Sequence, residues 1–426
     1  MASIAGTLER IKDRPLEIEG ILDAQAVERV FTEHGYEWRQ RTLGPAQTIE
    51  LFIRQVLEGN ESCACVRQRA GGAFTAGAYC QARSRLPLAA VWGLCGQAWR
   101  QLRVDHQDEA PRWHGHRTFQ LDGTSFSMPD TPELQETFGQ PGQQRAGCGF
   151  PVAHLLVSFD AGTGMLLEAI PAPLRTHDLR DVQFIHRHLQ AGDILIGDKA
   201  FGSWAHLALL QSAQIHGLFP LHQHRPPRAG NGDGVEVWPK PPRKPDWLDQ
   251  ARWDALPGQL TVRIVCRTIR RRGFRPLRIE LVTTLLEAQE YPAAELVELA
   301  KGRWSAELNI RHLKTTMGLE VLKCQSVQGV LKELAIFCLV YNLVRAVMLK
   351  ASAAQHVEVD RISFADALDW IRCTEPGASL WKLIVNPLRQ DRVDPRAIKR
   401  RPKPYDLMNQ PRAEMRKALK NQAKAA

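Results

Sequence analysis

The sequence predicts an α/β protein in which alternating strands and helices form a core, a β-rich insertion interrupts it, a helical region precedes it and a basic region follows. Three observations predict this. Residues up to about Arg112 carry helical periodicity broken by glycine-rich joints, and from Arg117 onward the apolar pattern switches to period two before strands and helices alternate. After Leu218-Phe-Pro-Leu221 the composition turns abruptly to proline, glycine and cations, and strands resume only later.

Taken in order, amphipathic helices are expected at Ala24 to His34, Gln47 to Leu57 and Leu88 to Leu102, with Ala70-Gly-Gly-Ala as one break. None of them matches a helix-turn-helix. The run R-T-F-Q-L-D reads as a strand ending at Asp122, followed by Gly123. Val152 to Asp160 and Met165 to Ile170 flank A-G-T-G as a hairpin, and the strand before them should pair with it. A helix near Asp181 to Leu189 leads into D-I-L-I-G-D, a second strand ending on an acid, Asp198, and Trp204 to Ala213 is the next helix. Such alternation fits a ribonuclease H-like core. His222 to Pro245 holds six prolines and three glycines and is expected to be a loop without a core. His222 and His224 lie in it without the partner set a metal needs. Strands follow at Leu260 to Arg270 and Arg278 to Thr284, joined through R-R-R-G. A helix over Gln328 to Lys350 closes the core, with Asn342 and Arg345 in structural roles, and Phe364 to Ile371 and Leu380 to Leu388 suggest small helices. The expected domains are therefore a helical region over 1–112, a core made of 113–221 and 296–350, an insertion over 222–295, and a helical and basic region over 351–426.

Composition narrows the class. A chain of 426 residues with 44% apolar content can bury real cores. The longest apolar run, Leu334 to Met348, contains Asn342 and Arg345 and is too short and polar to span a bilayer; no apolar signal segment opens the chain, so a cytoplasmic location is expected. Nine cysteines without a repeated C-x-x-C pattern point to reduced thiols, and Cys63 with Cys65 is at most a faint metal hint. Of the net charge of +10, the segment from Asn386 onward supplies +8, with twelve Lys or Arg against four acids. That tail, which includes Lys399-Arg-Arg-Pro-Lys403, is either a solvated end or an attraction for phosphates.

The chemistry is concentrated in three acids. Asp122 and Asp198 stand where short strands end, and strand ends face the crevice in which open sheets bind ligands. A single such aspartate is also a common turn former. The third acid lies in A-K-G-R-W-S-A-E-L-N-I-R-H-L-K, from Ala300 to Lys314. At 100° per residue Arg303 falls 40° from Glu307 and Lys314 20° from it, placing two cations on the stripe of one carboxylate, with Trp304 and Leu308 beside it where a core could hold them. Taken alone, this stripe reads equally as a solvated charged face. Three converging carboxylates repel one another unless divalent cations hold them, which is the requirement of two-metal phosphoryl chemistry.

The segments D-G-T-S-F-S-M-P-D-T-P from Asp122, G-D-K-A-F-G-S-W from Gly197, and R-W-S-A-E with Lys314 following resemble the three blocks of the DDE transposases of bacterial insertion sequences. The spacing of Arg303, Glu307 and Lys314 resembles the Tyr-Arg-Glu-Lys subgroup, the insertion-sequence-4 family. The 108 residues between Asp198 and Glu307 match an insertion that the family carries there, and Y-N-L-V-R from Tyr341 to Arg345 is also similar. One position departs from the pattern: Ala300 stands where the family has its tyrosine, so either the site is weaker or Tyr291, Trp304 or Trp253 reaches in instead. The resemblance implies Asp122, Asp198 and Glu307 as catalytic ligands for two Mg²⁺ ions, with Mn²⁺ as a substitute. It implies DNA contacts by Arg303, Lys314, Arg311 and Lys199, and a helical N-terminal region that reads terminal repeats. It further implies action on the inverted-repeat ends of the element and on target DNA, a hairpin at the cleaved end, and a homodimer on paired ends, bound to the nucleoid when on DNA and not to membrane. Two other classes share parts of this pattern. A nuclease of the same fold would stop at hydrolysis, and a catalytically silent end-binding protein would keep only the basic surfaces.

Overall fold

In the computed structural model, residues 22–39, 41–105, 111–222, 232–270, 276–373, 408 and 410–425 are described. Eight strands form one sheet in the order β3-β2-β1-β4-β5-β8-β7-β6. They are β1 (Thr118–Ser127), β2 (Val152–Asp160), β3 (Leu166–Pro173), β4 (Ile194–Gly197), β5 (His216–Pro220), β6 (Gly232–Pro239), β7 (Gln259–Ile269) and β8 (Leu277–Thr283). β1, β4 and β5 are parallel, β2 and β3 add antiparallel on one side, and β8, β7 and β6 add antiparallel on the other.

The helices are α1 (Ala24–Glu33), α2 (Pro45–Leu57), α3 (Cys63–Arg69), α4 (Ala76–Arg85), α5 (Leu88–Asp105), α6 (Pro132–Phe138), α7 (Val182–His186), α8 (Trp204–Ser212), α9 (Gln250–Ala255), α10 (Ala293–Lys301), α11 (Trp304–Arg311), α12 (Val327–Gln355), α13 (Phe364–Cys373) and α14 (Arg412–Ala425). The expected helices of the first hundred residues are present. α3 and α4, each opened by a side-chain cap from Ser62 or Thr75, were not legible because neither carries a clean apolar stripe. The segment Leu380 to Leu388 and the K-R-R-P-K run lie outside the described residues.

Two sequence expectations are corrected here. The stretch expected to be a bare loop contains β6, which pairs with β7 along its whole length. It is an edge strand with Val235 and Val237 both 55% exposed, so its composition never had to show two buried faces. The strand through Asp122 does not end there either: β1 runs on to Ser127, paired with β2 from Phe119 to Ser127. It is the neighbour β4 that stops, at Gly197, opposite Leu121.

α12 is apolar around its whole circumference, the pattern of a helix enclosed by protein. By length and composition it could cross a membrane, yet 94% of its most apolar window is buried inside the chain. Three of its polar residues serve the β2–β3 hairpin. Asn342 Oδ1 accepts from Leu166 N and its Nδ2 donates to Leu166 O, both at 2.8 Å. Arg345 donates to Thr163 O from Nε at 3.0 Å and Nη2 at 2.6 Å, and Tyr341 Oη donates to Gly164 O. Gly164 takes φ +68°, and a Cβ there would collide with the Arg345 guanidinium. The structural role expected for Asn342 and Arg345 is what the hairpin shows. Asn342→Leu leaves the amide and the carbonyl of Leu166 buried without partners, and each costs about 1–3 kcal/mol. A clear fall in the thermal midpoint is expected, and calorimetry checks it.

Candidate active site

Asp122 and Asp198 are brought together by strand register. Leu121 lies opposite Gly197 in the parallel β1–β4 pair, so the next residue on each chain is an aspartate. The peptide planes there have different fates: β1 continues, whereas the chain after β4 tightens into a 3₁₀ turn, Lys199–Phe201, for which Asp198 is the N-cap. Asp198 Oδ1 accepts from Lys199 N at 2.6 Å, and Asp122 Oδ1 accepts from Gly123 N at 2.8 Å. The end of β4 beside β1 therefore carries two carboxylates.

Glu307 comes from α11, which packs against β1. The helical segment that carries Glu307 is separated from the preceding one by a break. α10 ends at Lys301, Gly302 and Arg303 form a turn, and α11 starts at Trp304. Arg303 keeps right-handed backbone angles, so its Nη2 still reaches Glu307 Oε1, at 3.3 Å across four residues. Past Arg311 the chain makes one turn of π-helix, His312–Thr316. The wider winding moves Lys314 off the stripe that 100° per residue had assigned to it. Lys314 is half-buried, Arg311 is exposed at the end of α11, and Lys199 is exposed beside Asp198. The core-facing side of α11 is also corrected: Trp304 is 55% and Leu308 47% exposed, while Ala306, Asn309 and Leu313 are buried.

Burial pushes the Asp122 carboxyl above the usual aspartate range; the Gly123 amide and the Arg303 guanidinium pull it down, and the charges of Glu307 and Asp198 push it up again. Glu307 and Asp198 are thus both within electrostatic reach of Asp122. Among the described residues no three His, Cys, Asp or Glu side chains already stand at ligating positions, and Glu307 is turned toward Arg303. The donor chemistry nonetheless fits a hard divalent cation: three carboxylates, no sulfur or imidazole, and a mutual repulsion that such an ion relieves. Asp122 and Asp198 would hold it, and Glu307 would complete the set on leaving Arg303.

Of the candidates for the family tyrosine, Tyr291 is buried against Trp113 with its hydroxyl 2.9 Å from His116 Nε2. Trp253 is buried against Trp204. Only Trp304 among the three is exposed, and Ala300 is half-buried at the edge of the cluster around Leu296 and Val297. Sequence reasoning missed a further pair, His154 of β2 and Asp178, whose Nε2 and Oδ1 lie in contact next to β1. A Cβ on Gly123 would lie 3.1 Å from His154 Cε1 and 3.3 Å from Asp178 Oδ1. The sole signal for His154 was polarity inside an apolar run.

Residues 113–343 match the family described as the transposase DDE domain. The chain is 25% identical over 427 residues to the transposase InsG for insertion sequence element IS4 of Escherichia coli (strain K12), across 90% of this chain and 92% of that protein. It is 32% identical over 127 residues to the putative transposase InsZ of the same organism, across 29% of this chain and 41% of that one. Among solved structures, the piggyBac transposase synaptic complex with hairpin DNA is similar at 10% identity, over 87% of this chain and 79% of that chain, with a TM-score of 0.46. The family match covers more than half of the sequence and contains β1, β4 and α11 with their three acids, so the chain belongs to the DDE transposases, enzymes that cleave and rejoin DNA.

Proposed function

We propose that this transposase cuts the ends of an insertion sequence and joins them to target DNA at one site, with Asp122, Asp198 and Glu307 as ligands for two Mg²⁺ ions and Mn²⁺ as a substitute. The observation that carries the reading is the register of β1 and β4, which sets Asp122 beside Asp198, together with the packing of the Glu307 helix on the same strand. When bound, two divalent ions activate the attacking oxygen and stabilise the leaving one, so hydrolysis and strand transfer share a centre. The chain's own work is positional. Arg303 balances Glu307 and Asp122, and Arg303, Arg311, Lys314 and Lys199 hold phosphates beside the scissile bond.

In the same reading, 113–221 and 296–350 form a ribonuclease H-like core; the order β3-β2-β1-β4-β5 with its parallel centre supports it. Residues 222–295 are its insertion, whose strands extend the core sheet through β5 and β8. Residues 1–112 bind the terminal repeats, and two protomers act on paired ends, in the cytoplasm and on the nucleoid. An assay with two labelled ends tests the function: joined products are expected with Mg²⁺, and products that stop at hydrolysis would favour a nuclease.

The basic region of 351–426 has a specific expectation. α14 is exposed along Arg416, Lys417 and Lys420 and is anchored by Arg412, whose guanidinium lies 3.7 Å over the Phe150 ring and 3.8 Å from Asp130. Truncation after Arg396 should reduce the slope of log affinity against log salt by about 0.9 for each DNA phosphate that the tail neutralises. An unchanged slope in a salt titration would make the tail a solvated end.

A further inference from the structure

The carbonyl of Gly302 marks the point where the helix carrying Glu307 is broken and tied again. In an unbroken helix it would accept the amide of Ala306, four residues on. Here Ala306 N donates to Arg303 O at 3.0 Å and Ser305 N to Gly302 O at 2.9 Å, a tighter turn of the i to i+3 type. A side chain of the sheet takes the released valence. Gln120 donates from Nε2 to Gly302 O at 2.8 Å and to Ser305 Oγ at 2.7 Å. Ser305 Oγ in turn lies 2.9 Å from Gln120 Oε1 and 2.7 Å from Gly302 O, so its one proton serves either of them. Gln120 is 2% exposed.

The placement of this joint is what gives it a function. Gln120 is two residues before Asp122 on β1, and side chains at that interval leave the same face of a strand. Ser305 is two residues before Glu307 on the first turn of α11. One glutamine therefore connects the backbone beside one carboxylate to the backbone beside the other. It does so where α11 has lost the i to i+4 bonds that would stiffen it against α10.

We propose that Gln120 is a positioning residue that sets where Glu307 stands relative to Asp122. The inference rests on the reading of these two acids as the metal-holding pair. Without the amide, α11 pivots at Gly302, and a displacement on the order of 1 Å of a catalytic group costs about 10²-fold in rate. The joint makes no demand on DNA affinity, since Gln120 is buried, Ser305 is half-buried, and the carbonyl of the exposed Gly302 is already taken by Gln120 Nε2 and Ser305 N.

The test uses the full chain with Gln120→Leu, close in volume but without polar atoms, and with Ser305→Ala, singly and together. Three quantities are measured: Mg²⁺-dependent cleavage of a duplex carrying the inverted repeat of the element, binding of that duplex in Ca²⁺, and the rise in melting temperature when Mg²⁺ or Ca²⁺ is added without DNA. Gln120→Leu should lower cleavage about 10- to 100-fold, and should raise about tenfold the Mg²⁺ concentration at half-maximal cleavage and at half-maximal thermal shift. End binding should stay within about twofold, and the double variant should be no worse than Gln120→Leu, because both residues serve one joint. Ion midpoints unmoved in Gln120→Leu overturn the proposal, whether cleavage is normal or falls together with end binding. If Gln120→Leu does not fold, Ser305→Ala decides on the same ion midpoints. Asp122→Ala and Glu307→Ala are measured alongside. If they still cleave, the catalytic reading fails; if they are inactive and lose the thermal response while Gln120→Leu behaves as the parent, the inference alone fails.

Discussion

Alanine at Asp122, at Asp198 or at Glu307 is expected to lower Mg²⁺-dependent cleavage by about 10³-fold or more while binding of the transposon end persists. In the proposed mechanism the size follows from the several kcal/mol of transition-state charge that bound divalent ions would neutralise. Persistence of binding follows from the division of labour on DNA, where phosphate contacts supply affinity and ligands of the metal supply chemistry. The structure adds a reason why these variants should fold. Asp122 is held above its usual range by burial and by its two acidic neighbours, so deleting one acid relieves repulsion in the metal-free protein. Loss of activity with an unchanged or raised melting temperature is the expected signature. A denaturing gel of the cleaved strand and a mobility shift of the same duplex read the two effects separately, and near-normal cutting by any one variant removes that residue from the site.

The sequence made the order of elements legible wherever an element declares itself by its own pattern. β2 and β3 declared themselves as a hairpin around A-G-T-G, and α12 as the longest apolar run of the chain, and both elements are present. What it could not show was where a neighbour stops. Asp122 looked like a strand end because R-T-F-Q-L is apolar-rich and the residues after it are small and polar, yet β2 keeps pairing with β1 through Ser127. Asp122 and Asp198 meet because β4 ends and β1 does not, and that is a property of pairing between distant segments. The same holds for the insertion, whose composition looked separate although Leu218 of β5 pairs with Thr283 of β8. On α11 the spacing of Arg303 and Glu307 was correctly read, because a four-residue interval survives the turn at Gly302. Which side met the core was not, because helical arithmetic fixes angles between side chains and says nothing about the direction of the sheet. Trp304 and Leu308 face out for that reason, and Gln120 had no signal of its own, being one polar residue in a buried strand.

Arg303→Met is expected to separate stability from catalysis. The Arg303–Glu307 pair is partly open to solvent, with side chains 21% and 56% exposed, and pairs of this kind contribute about 0–1 kcal/mol to folding. The melting temperature should therefore move little. Cleavage should fall about 10²- to 10³-fold, the range found when one preorganised charge is removed from a developing anion. Two roles converge on the guanidinium. It lowers the Asp122 carboxyl against burial and against Glu307 and Asp198, and it pairs with Glu307, a pairing for which a DNA phosphate would compete in the proposed mechanism. Lysine restores the charge but not the planar fork that can face a carboxylate and a phosphate together, so Arg303→Lys should recover only part of the rate. Single-turnover cleavage across the three proteins, with melting curves on the same preparations, decides between roles. A fall in melting temperature as large as that of a core substitution would make Arg303 a structural strut, and full activity in Arg303→Met would reduce the pair to a solvated surface interaction.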